Sequence, residues 1–480
     1  MYIYAANGYR SGKRNDDANQ IMTGGNSDMK AGFSVTDITP RVGVALYGFG
    51  AYINRNSKAI RDRIEARAAA FESGGKRVVV IGCDLCTINP RISERVRAMI
   101  REAHPELAES DILINTSHTH SSPSTTLWQS GWGFPDRPYL ELLPGRIARA
   151  GIGALDALEE VEYSFAEVPC EHIGVNRIHD IDHPELAEAL KPDWRPDKPE
   201  LTDTTCRVLK FTRDDGSLAG FIAHFGCHPV VGSASNTYIH GDYPALAIHE
   251  LMREYPGSVG VFLQGAEGDV NSCVVHQGEQ ESLLALDVIA GRFANAVRNG
   301  LAAAKPVADT TVKSASKVAK FTPDDFYSVE ELERLYAEKL ALFSAPDASD
   351  DDKKLRSATT YLDGIEMILA ALKRGEQPGT EVLVQGIRLG PAAILGSPFE
   401  TMQGIRRDVD KAAKAPVPMV TSLCNYTLGY APDRIARSMT TGGANYSARR
   451  VPCISGRLPL KCVHEELVQA LLDIDAELAR

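Results

Sequence analysis

Short apolar runs alternate with longer amphipathic stretches along most of the chain. Runs that are apolar throughout and end at turn residues are typical of buried strands. They predict strands over Arg77–Cys83, Asp111–Asn115, Leu218–Phe225, Ser258–Gln264, Val382–Leu389, Ala392–Leu395 and Met419–Asn425. Apolar residues at helical spacing predict helices over Pro90–His104, Tyr139–Leu158, Pro244–Tyr255, Glu281–Leu301, Thr401–Lys414 and Glu465–Leu478. Strands that alternate with helices indicate an α/β fold, here a mixed sheet with helices around it.

Three segments depart from this alternation. Residues 1–30 are polar and rich in Gly and Asn, which predicts a flexible arm ahead of one domain over residues 31–480. His172–Asp203 is rich in His, Pro and Asp, and we interpret it as a long ordered loop or insertion of the kind that often carries function. Ser328–Gly375 has helical spacing that is broken near its middle, which predicts a helical hairpin packed on the main domain. The sequence shows no internal repeat.

Composition and charge disfavour some classes of binding partner for this chain. The 480 residues carry 52 Lys and Arg against 63 Asp and Glu, a net charge of −11, which disfavours nucleic-acid binding. No apolar run is long enough for a transmembrane helix, and the N-terminus lacks the apolar region of a secretory signal. Nine scattered cysteines, including a Cys83-x-x-Cys86 pair interpreted as core thiols, fit reduced thiols in the cytoplasm. The sequence leaves assembly into a homo-oligomer open.

Histidines and a carboxylate follow the predicted strands at the points where these end. His118 and His120 come just after the second predicted strand, His228 just after the third, and Glu400 just after the sixth. Because ligands of α/β sheets bind beyond the carboxyl ends of strands, we expect these side chains to meet. Two histidines and one carboxylate around an open position form the donor set of a catalytic zinc ion. Taken singly, each is equally explained as a loop histidine or a favourable charge in the first turn of a helix.

Further polar residues lie beside these positions. Asp242 precedes a predicted helix, where it would cap the helix or orient a histidine. Asp269 and Asn271 follow the strand that ends at Gln264, and they indicate either support for the site or a glycine-rich turn. Tyr430 follows the last predicted strand, where a tyrosine belongs to the core or reaches a metal. Neither a G-x-S-x-G elbow nor a Walker or Rossmann glycine motif occurs in a strand–turn–helix context.

Taken in order, these segments resemble the neutral/alkaline non-lysosomal ceramidases. An Asp-Ile-Thr-Pro sequence at Asp37–Pro40 fits the opening of that family. The other matching segments are Ser117–Ser121, Gly174–Arg177, His228–Pro229, Gly268–Asn271, Phe399–Met402 and Gly429–Tyr430. The His-x-His segment with the others in order is specific, whereas any one of them alone would be weak.

The resemblance implies a zinc amidohydrolase whose α/β catalytic domain covers residues 31–480. It implies one zinc ion per chain, held by His118, His228, Glu400 and Tyr430. It further implies that His120 is the general acid and base, and that Arg177 and Tyr446 stabilise the substrate oxygen. The chain ends soon after the predicted helix Glu465–Leu478, so the immunoglobulin-like domain of true ceramidases is not expected.

The substrate stays open at this point. Without a secretory signal or an accessory domain, we expect a small soluble N-acyl or ester compound rather than a membrane lipid. One alternative is a zinc esterase, lactonase or deacetylase that acts on a small polar metabolite, because activated water attacks esters as readily as amides. An alternative of another class is a non-catalytic binding protein that keeps the fold.

Overall fold

The computed structural model describes residues 29–50, 55–126, 133–178, 183–439 and 445–480. Its strands, in chain order, are β1 (Lys30–Asp37), β2 (Ala59–Ile60), β3 (Glu65–Ser73), β4 (Lys76–Cys83), β5 (Ile112–Thr116), β6 (Glu159–Glu160), β7 (Glu162–Pro169), β8 (Gly174–Asn176), β9 (Thr205–Thr212), β10 (Leu218–Phe225), β11 (Tyr238–Ile239), β12 (Val259–Gln264), β13 (Val270–Ser272), β14 (Lys305–Pro306), β15 (Val312–Lys320), β16 (Glu381–Leu389), β17 (Ala392–Gly396), β18 (Glu400–Thr401), β19 (Val417–Thr421) and β20 (Tyr430–Ala431).

The main helices pack on the sheets that these strands form. In chain order they are α1 (Pro90–Ala103), α2 (Arg137–Asp156), α3 (Leu186–Ala189), α4 (Asp242–Glu254), α5 (Glu279–Ala303), α6 (Val329–Ala341), α7 (Lys353–Lys373) and α8 (Gln403–Ala412). Arg434–Ser438 and Val451–Ile454 form short helices, and Val463–Leu478 forms the C-terminal helix. Among the described residues, no helix combines the length and the apolar character needed to cross a membrane.

Three larger sheets share one pattern of connections. Sheet I has the order β5-β4-β3-β1-β6, sheet II the order β12-β10-β9-β7-β14, and sheet III the order β15-β16-β17-β19. In each sheet, an antiparallel hairpin leads through a helix to a strand that pairs in parallel with the second strand of the hairpin. The connecting helices are α1, α4 and α8, and each packs with a later helix, which is α2, α5 or the C-terminal helix. The fold therefore contains a threefold repeat of topology that the sequence does not reveal.

The three sheets meet through their inner faces. This shared core contains Phe71, Val80 and Leu113 from sheet I, Phe211, Ile222 and Leu263 from sheet II, and Ile387, Ile394 and Met419 from sheet III. Helix pairs cover the outer faces with separate apolar clusters. This packing brings the carboxyl ends of β5, β12 and β19 together. There the Asn115 side chain accepts a hydrogen bond from the Gln264 amide (2.9 Å) and donates one to the Ser422 carbonyl (2.6 Å).

The α/β fold with mixed sheets is confirmed, and every predicted strand and helix is present within a few residues. The last predicted strand ends earlier than expected, because Leu423 and Asn425 adopt positive φ angles of 53° and 69°. The helical hairpin is confirmed as α6 and α7, and the Ser328 hydroxyl caps α6 by accepting from the Glu331 amide. Among the longer strands, β1, β3, β7, β9 and β15 were not predicted, and neither were the strands of two or three residues.

Two other predictions concern segments that the structure describes only in part. The interpretation of His172–Asp203 as one loop is correct only in part, because β8 lies within it and pairs with β13. Residues 179–182 of this segment lie outside the described residues. Residues 1–28 of the predicted arm also lie outside them. Met29 is buried and β1 begins at Lys30.

Candidate metal centre

His118 is held by the turn that follows β5. Its backbone has a φ of 68°, in the left-handed region, and its amide donates to the Leu85 carbonyl at 2.9 Å. The imidazole Nδ1 lies 2.9 Å from the carbonyl oxygen of Cys86. A carbonyl only accepts, so Nδ1 carries a proton and Nε2 is the nitrogen that faces Glu400. Burial lowers the pKa of His118, but Cys86 and Glu400 outweigh burial and raise this pKa well above its usual value. The strained turn and the hydrogen bond at Nδ1 fix the direction of the ring.

His228 is fixed in the same way at the end of β10. Its amide donates to the Val270 carbonyl at 2.9 Å. Its Nδ1 lies 2.7 Å from the carbonyl oxygen of Glu267 and 3.1 Å from that of Val270, so Nε2 is left as an acceptor. Burial, with a further contribution from the charge of Arg177, lowers the pKa of His228 to about 4. The ring is therefore neutral at physiological pH, as a metal ligand requires.

Glu400 supplies the carboxylate between the two rings. Its Oε2 lies 3.4 Å from Nε2 of His118 and 3.2 Å from Nε2 of His228. Burial opposes ionisation of this carboxyl group, but the two imidazoles outweigh burial and hold its pKa well below the usual value. Its backbone amide donates to the Gly429 carbonyl at 2.8 Å, which joins β18 to β20. Because Glu400 and Tyr430 are partners in this parallel pair, their side chains lie next to each other.

The donor set fits a divalent metal ion. The ligand atoms of His118, His228 and Glu400 all lie within 4.8 Å of one another, and all three residues are buried. Both imidazoles direct Nε2 at the ionised carboxylate. Both are oriented by backbone carbonyls, as is usual behind metal-binding histidines. Two nitrogens and one oxygen are the donors that zinc takes in catalytic sites with an open position.

Tyr430 and Tyr446 extend the site on one side. Burial raises the pKa of the Tyr430 hydroxyl well above its usual value, although the nearby charge of Arg177 opposes the increase. The Arg177 guanidinium lies 5.2 Å from the centre of the Tyr430 ring. Tyr446 begins a turn of π-helix over Tyr446–Arg450, and its ring centre is 6.0 Å from that of Tyr430.

His120 lies beside the donor set without belonging to it. Its ring centre is 4.8 Å from that of His118 and 4.7 Å from that of Phe49. Both ring nitrogens are buried, and neither has a hydrogen-bond partner among the described residues. Burial, helped by His118 and His228, lowers its pKa well below the usual value. The Arg55 guanidinium donates to the His120 carbonyl at 2.6 Å and so fixes the backbone.

The supporting residues divide into two groups. Asp269 accepts from the Asn176 side chain and from the Gln403 amide, at 2.9 and 2.8 Å, and its carbonyl accepts from the Arg177 amide. The Arg177 guanidinium donates to the Gly268 carbonyl (2.6 Å) and to Asn271 Oδ1 (3.4 Å). Asp269 and Asn271 therefore position Arg177 beside Tyr430.

Asp242 lies in a different part of the fold. Its carboxylate accepts from the amides of Gly232 and Tyr243 at 2.9 and 2.8 Å. No hydrogen bond among the described residues joins it to the candidate metal ligands. It shapes the loop that follows His228, and it neither orients a ligand histidine nor caps its helix with a side chain.

A cavity of about 240 Å³ opens over the donor set. Its walls include His118, His120, Glu400, Tyr430 and Tyr446 from the site. They also include Cys86, together with Tyr47, Met367 and Arg457, which the sequence analysis did not assign to the site. The expectation of two plain core thiols is wrong for Cys86, whose Sγ lies 3.6 Å from Nδ1 of His118. Its position three residues after the predicted strand Arg77–Cys83 is the one available sequence signal, because residues there also lie beyond a strand end.

The chain is an α/β protein with a candidate metal site beyond the carboxyl ends of its strands. Two imidazoles and one carboxylate form this site. The family model described as neutral/alkaline non-lysosomal ceramidase, N-terminal, matches residues 29–320. This match covers more than half of the chain, and the chain belongs to that family. The membership makes it a hydrolase of the ceramidase type.

Solved structures agree with this assignment at the level of the fold. Neutral ceramidase from Pseudomonas aeruginosa superimposes with a TM-score of 0.69 at 19% identity, over 94% of this chain and 74% of that chain. A ceramidase complexed with C2 gives a TM-score of 0.69 at 18% identity, over 94% of this chain and 75% of that chain.

Proposed function

We propose that the protein is a zinc-dependent amidohydrolase that cleaves an N-acyl bond of a small substrate. The observation that supports this proposal is the convergence of His118, His228 and Glu400, with both Nε2 atoms within 3.4 Å of Oε2 of Glu400. Tyr430 completes the proposed set of ligands from the strand that pairs with that of Glu400. Bound zinc would polarise the scissile carbonyl and acidify water.

His120 is the proposed general base and acid. It is neutral and has two unengaged nitrogens, so it can accept a proton from the attacking water at one of them. The same proton then goes to the leaving nitrogen as the C–N bond breaks. Such proton transfer by a positioned side chain contributes about 10²–10⁴-fold to the rate.

Arg177 and Tyr446 are the proposed stabilisers of the oxygen that becomes negative in the transition state. Tyr446 lines the cavity, whereas the described lining does not include Arg177. The Arg177 guanidinium lies against Tyr430, and its charge favours the ionised form of the Tyr430 hydroxyl. We therefore propose that Tyr446 contacts the substrate oxygen directly and that Arg177 stabilises this oxygen through Tyr430.

The size of the cavity supports a small substrate. Ligand pockets commonly measure about 300–1,000 Å³, and a cavity of about 240 Å³ lies below that range. We place the protein in the cytoplasm, where the exposed thiol of Cys462 would stay reduced.

Turnover of matched amides and esters tests this function. We expect the protein with zinc to hydrolyse short N-acyl amides, and Glu400→Ala to lose this activity together with the metal. Hydrolysis of the esters alone would replace the proposal with a zinc esterase. Stoichiometric zinc without hydrolysis of either series would instead indicate a binding protein.

A further inference from the structure

Arg457 presents a positive charge to the cavity, and no described residue neutralises that charge. It lies three residues after the short helix Val451–Ile454, and its backbone amide donates to the Pro452 carbonyl at 3.0 Å. Its side chain is partly buried and lines the cavity. Among the described residues, no carboxylate lies within ion-pair distance of its guanidinium, and no side-chain hydrogen bond engages it.

Two glycines make room for this side chain. A Cβ on Gly379 would lie 3.0–3.1 Å from the methylene groups of Arg457, so the stem packs directly on the Gly379 backbone. A Cβ on Gly429 would lie 3.2 Å from Nη2 of Arg457. Gly429 has a φ of 74° and directly precedes Tyr430. The guanidinium is therefore held next to the proposed metal ligands.

The neighbouring charges do not neutralise Arg457. Glu400 is the one carboxylate in the described lining, and it is engaged by His118 and His228. Burial lowers the pKa of Arg457 to about 10, so the side chain stays charged at physiological pH. A cation that is partly removed from water and lacks a counterion is costly. An anionic group on a ligand would offset that cost.

We propose that Arg457 binds the carboxylate of the substrate, and that the substrates are small N-acyl amino acids. This inference rests on the proposed amidohydrolase function. One guanidinium matches one carboxylate in charge and in its two parallel donors. Ile88, Pro90, Met367, Leu428 and Val451 supply apolar walls for a short acyl chain.

The reaction that follows is a simple hydrolysis. Water adds its oxygen to the acyl carbon, the C–N bond breaks, and the nitrogen takes up a proton. The products are a carboxylic acid and a free amino acid, and no oxidant or further reactant is needed.

A matched pair of substrates tests the role of Arg457. N-hexanoylglycine carries the carboxylate, and N-hexanoylaminoethanol has a neutral hydroxymethyl group in its place. We expect wild type to favour the anionic compound in kcat/KM by roughly tenfold to hundredfold, the value of a charged hydrogen bond. Arg457→Met should lose this preference mainly through a higher KM for N-hexanoylglycine, and Arg457→Lys should retain part of it. Equal use of both compounds by wild type would overturn the proposal.

The control variant is Arg449→Met, which removes the same charge nearby. The Arg449 guanidinium stacks on Phe326 at 3.9 Å and is absent from the described cavity lining, so the preference should not change. Calorimetric binding of N-hexanoylglycine to chelator-treated wild type and to Arg457→Met separates this inference from the hydrolytic function. Weaker binding to Arg457→Met supports the carboxylate site even if no compound is hydrolysed. Equal binding to both proteins contradicts it.

Discussion

At the scale of single residues, the proposed proton transfer depends on the ring nitrogens of His120, which lack hydrogen-bond partners among the described residues. Most buried polar side chains satisfy their hydrogen bonds within the protein. Neither ring nitrogen of His120 has a hydrogen-bond partner within the described part of the chain. The ring lies at the wall of the cavity and beside the ring of His118. This arrangement suits a group that exchanges protons with a bound substrate or water.

His120→Gln tests this assignment. We expect zinc content to stay at the wild-type value, because His120 is not among the proposed ligands, while kcat falls by about 10²–10⁴-fold. Metal analysis and steady-state kinetics on the same preparations measure both quantities. His276→Gln is the control, since the His276 ring faces the same Phe49 side chain at 6.4 Å and should leave kcat nearly unchanged. A variant of His120 that keeps wild-type turnover would exclude it as the general base.

Single residues differ in how well their positions can be predicted from sequence. His118, His228 and Glu400 each follow an apolar run directly, so the strand pattern alone places them at one edge of the sheets. Arg457 could not be found in this way, because it follows no strand and is placed by contacts with two distant glycines. Such positions depend on packing between segments, which periodicity does not encode.

At the scale of elements, the site requires that two backbone segments approach each other closely beyond the ends of the strands. Gly268 follows β12, and a Cβ there would overlap the backbone carbonyl of Glu400. The Gly268 amide also donates to the Thr401 carbonyl at 2.9 Å. The position of Glu400 therefore requires a glycine at 268.

Gly268→Ala should weaken the metal site without touching a ligand. The added methyl group would displace the backbone of Glu400, and we expect about a 10–100-fold loss of zinc affinity, as for other changes just behind a metal ligand. Competition with a chelating dye measures this affinity. Gly291→Ala, in α5 with open space around its Cβ, is the matched control and should be at least as stable as wild type. Equal zinc affinity in wild type and Gly268→Ala would show that the close approach is not required.

The elements themselves were predictable to different degrees. β10 is apolar except for His224 and is buried on both faces, so its predicted and observed bounds agree. β3 escaped prediction because it is built largely of alanine with Arg67 inside it, a composition that also suits a helix. β15 escaped because its lysines interrupt the apolar pattern. β3 is placed by pairing with β1 and with β4, and β15 by pairing with β16 across the helical hairpin.

At the scale of the whole molecule, the inner faces of three sheets share one core. His224 lies in this region, on β10 of sheet II, and its Nε2 is 3.0 Å from the Val420 carbonyl of sheet III. Burial lowers the pKa of His224 to about 4, and the charge of Arg207 on the neighbouring strand acts in the same direction, opposed by Asp203. A neutral histidine thus joins two sheets.

Because of His224, the protein should become less stable as the pH is lowered. The unfolded chain binds a proton at His224 below the usual pKa of 6.5, whereas the folded chain binds it only near pH 4. The free energy of unfolding should therefore decrease as the pH falls through this window, by about 2 kcal/mol at pH 5, at about 1.4 kcal/mol for each pKa unit. Urea unfolding at pH 7, 6 and 5 measures the slope. His224→Gln, which can donate to Val420 but does not titrate, should flatten it, and equal slopes would contradict the assignment.

The threefold topology also explains where the donors come from. His118 follows sheet I, His228 follows sheet II, and Glu400 follows sheet III. Each sheet contributes one proposed ligand beyond the carboxyl end of a parallel pair, so the proposed metal centre forms only when all three sheets have packed. The sequence predicted that His118, His228 and Glu400 would meet, but it did not predict this repeat, because the three units share connections without sharing side chains.

The most direct measurement is elemental analysis of the purified protein, with wild type beside Glu400→Ala. The exposed Glu330 provides a control variant, Glu330→Ala, that removes the same side chain far from the donor set. We expect about one zinc ion per chain in wild type and in Glu330→Ala, and none in Glu400→Ala. Wild type that binds no metal after addition of zinc, or Glu400→Ala that binds as much as wild type, would contradict the proposed centre.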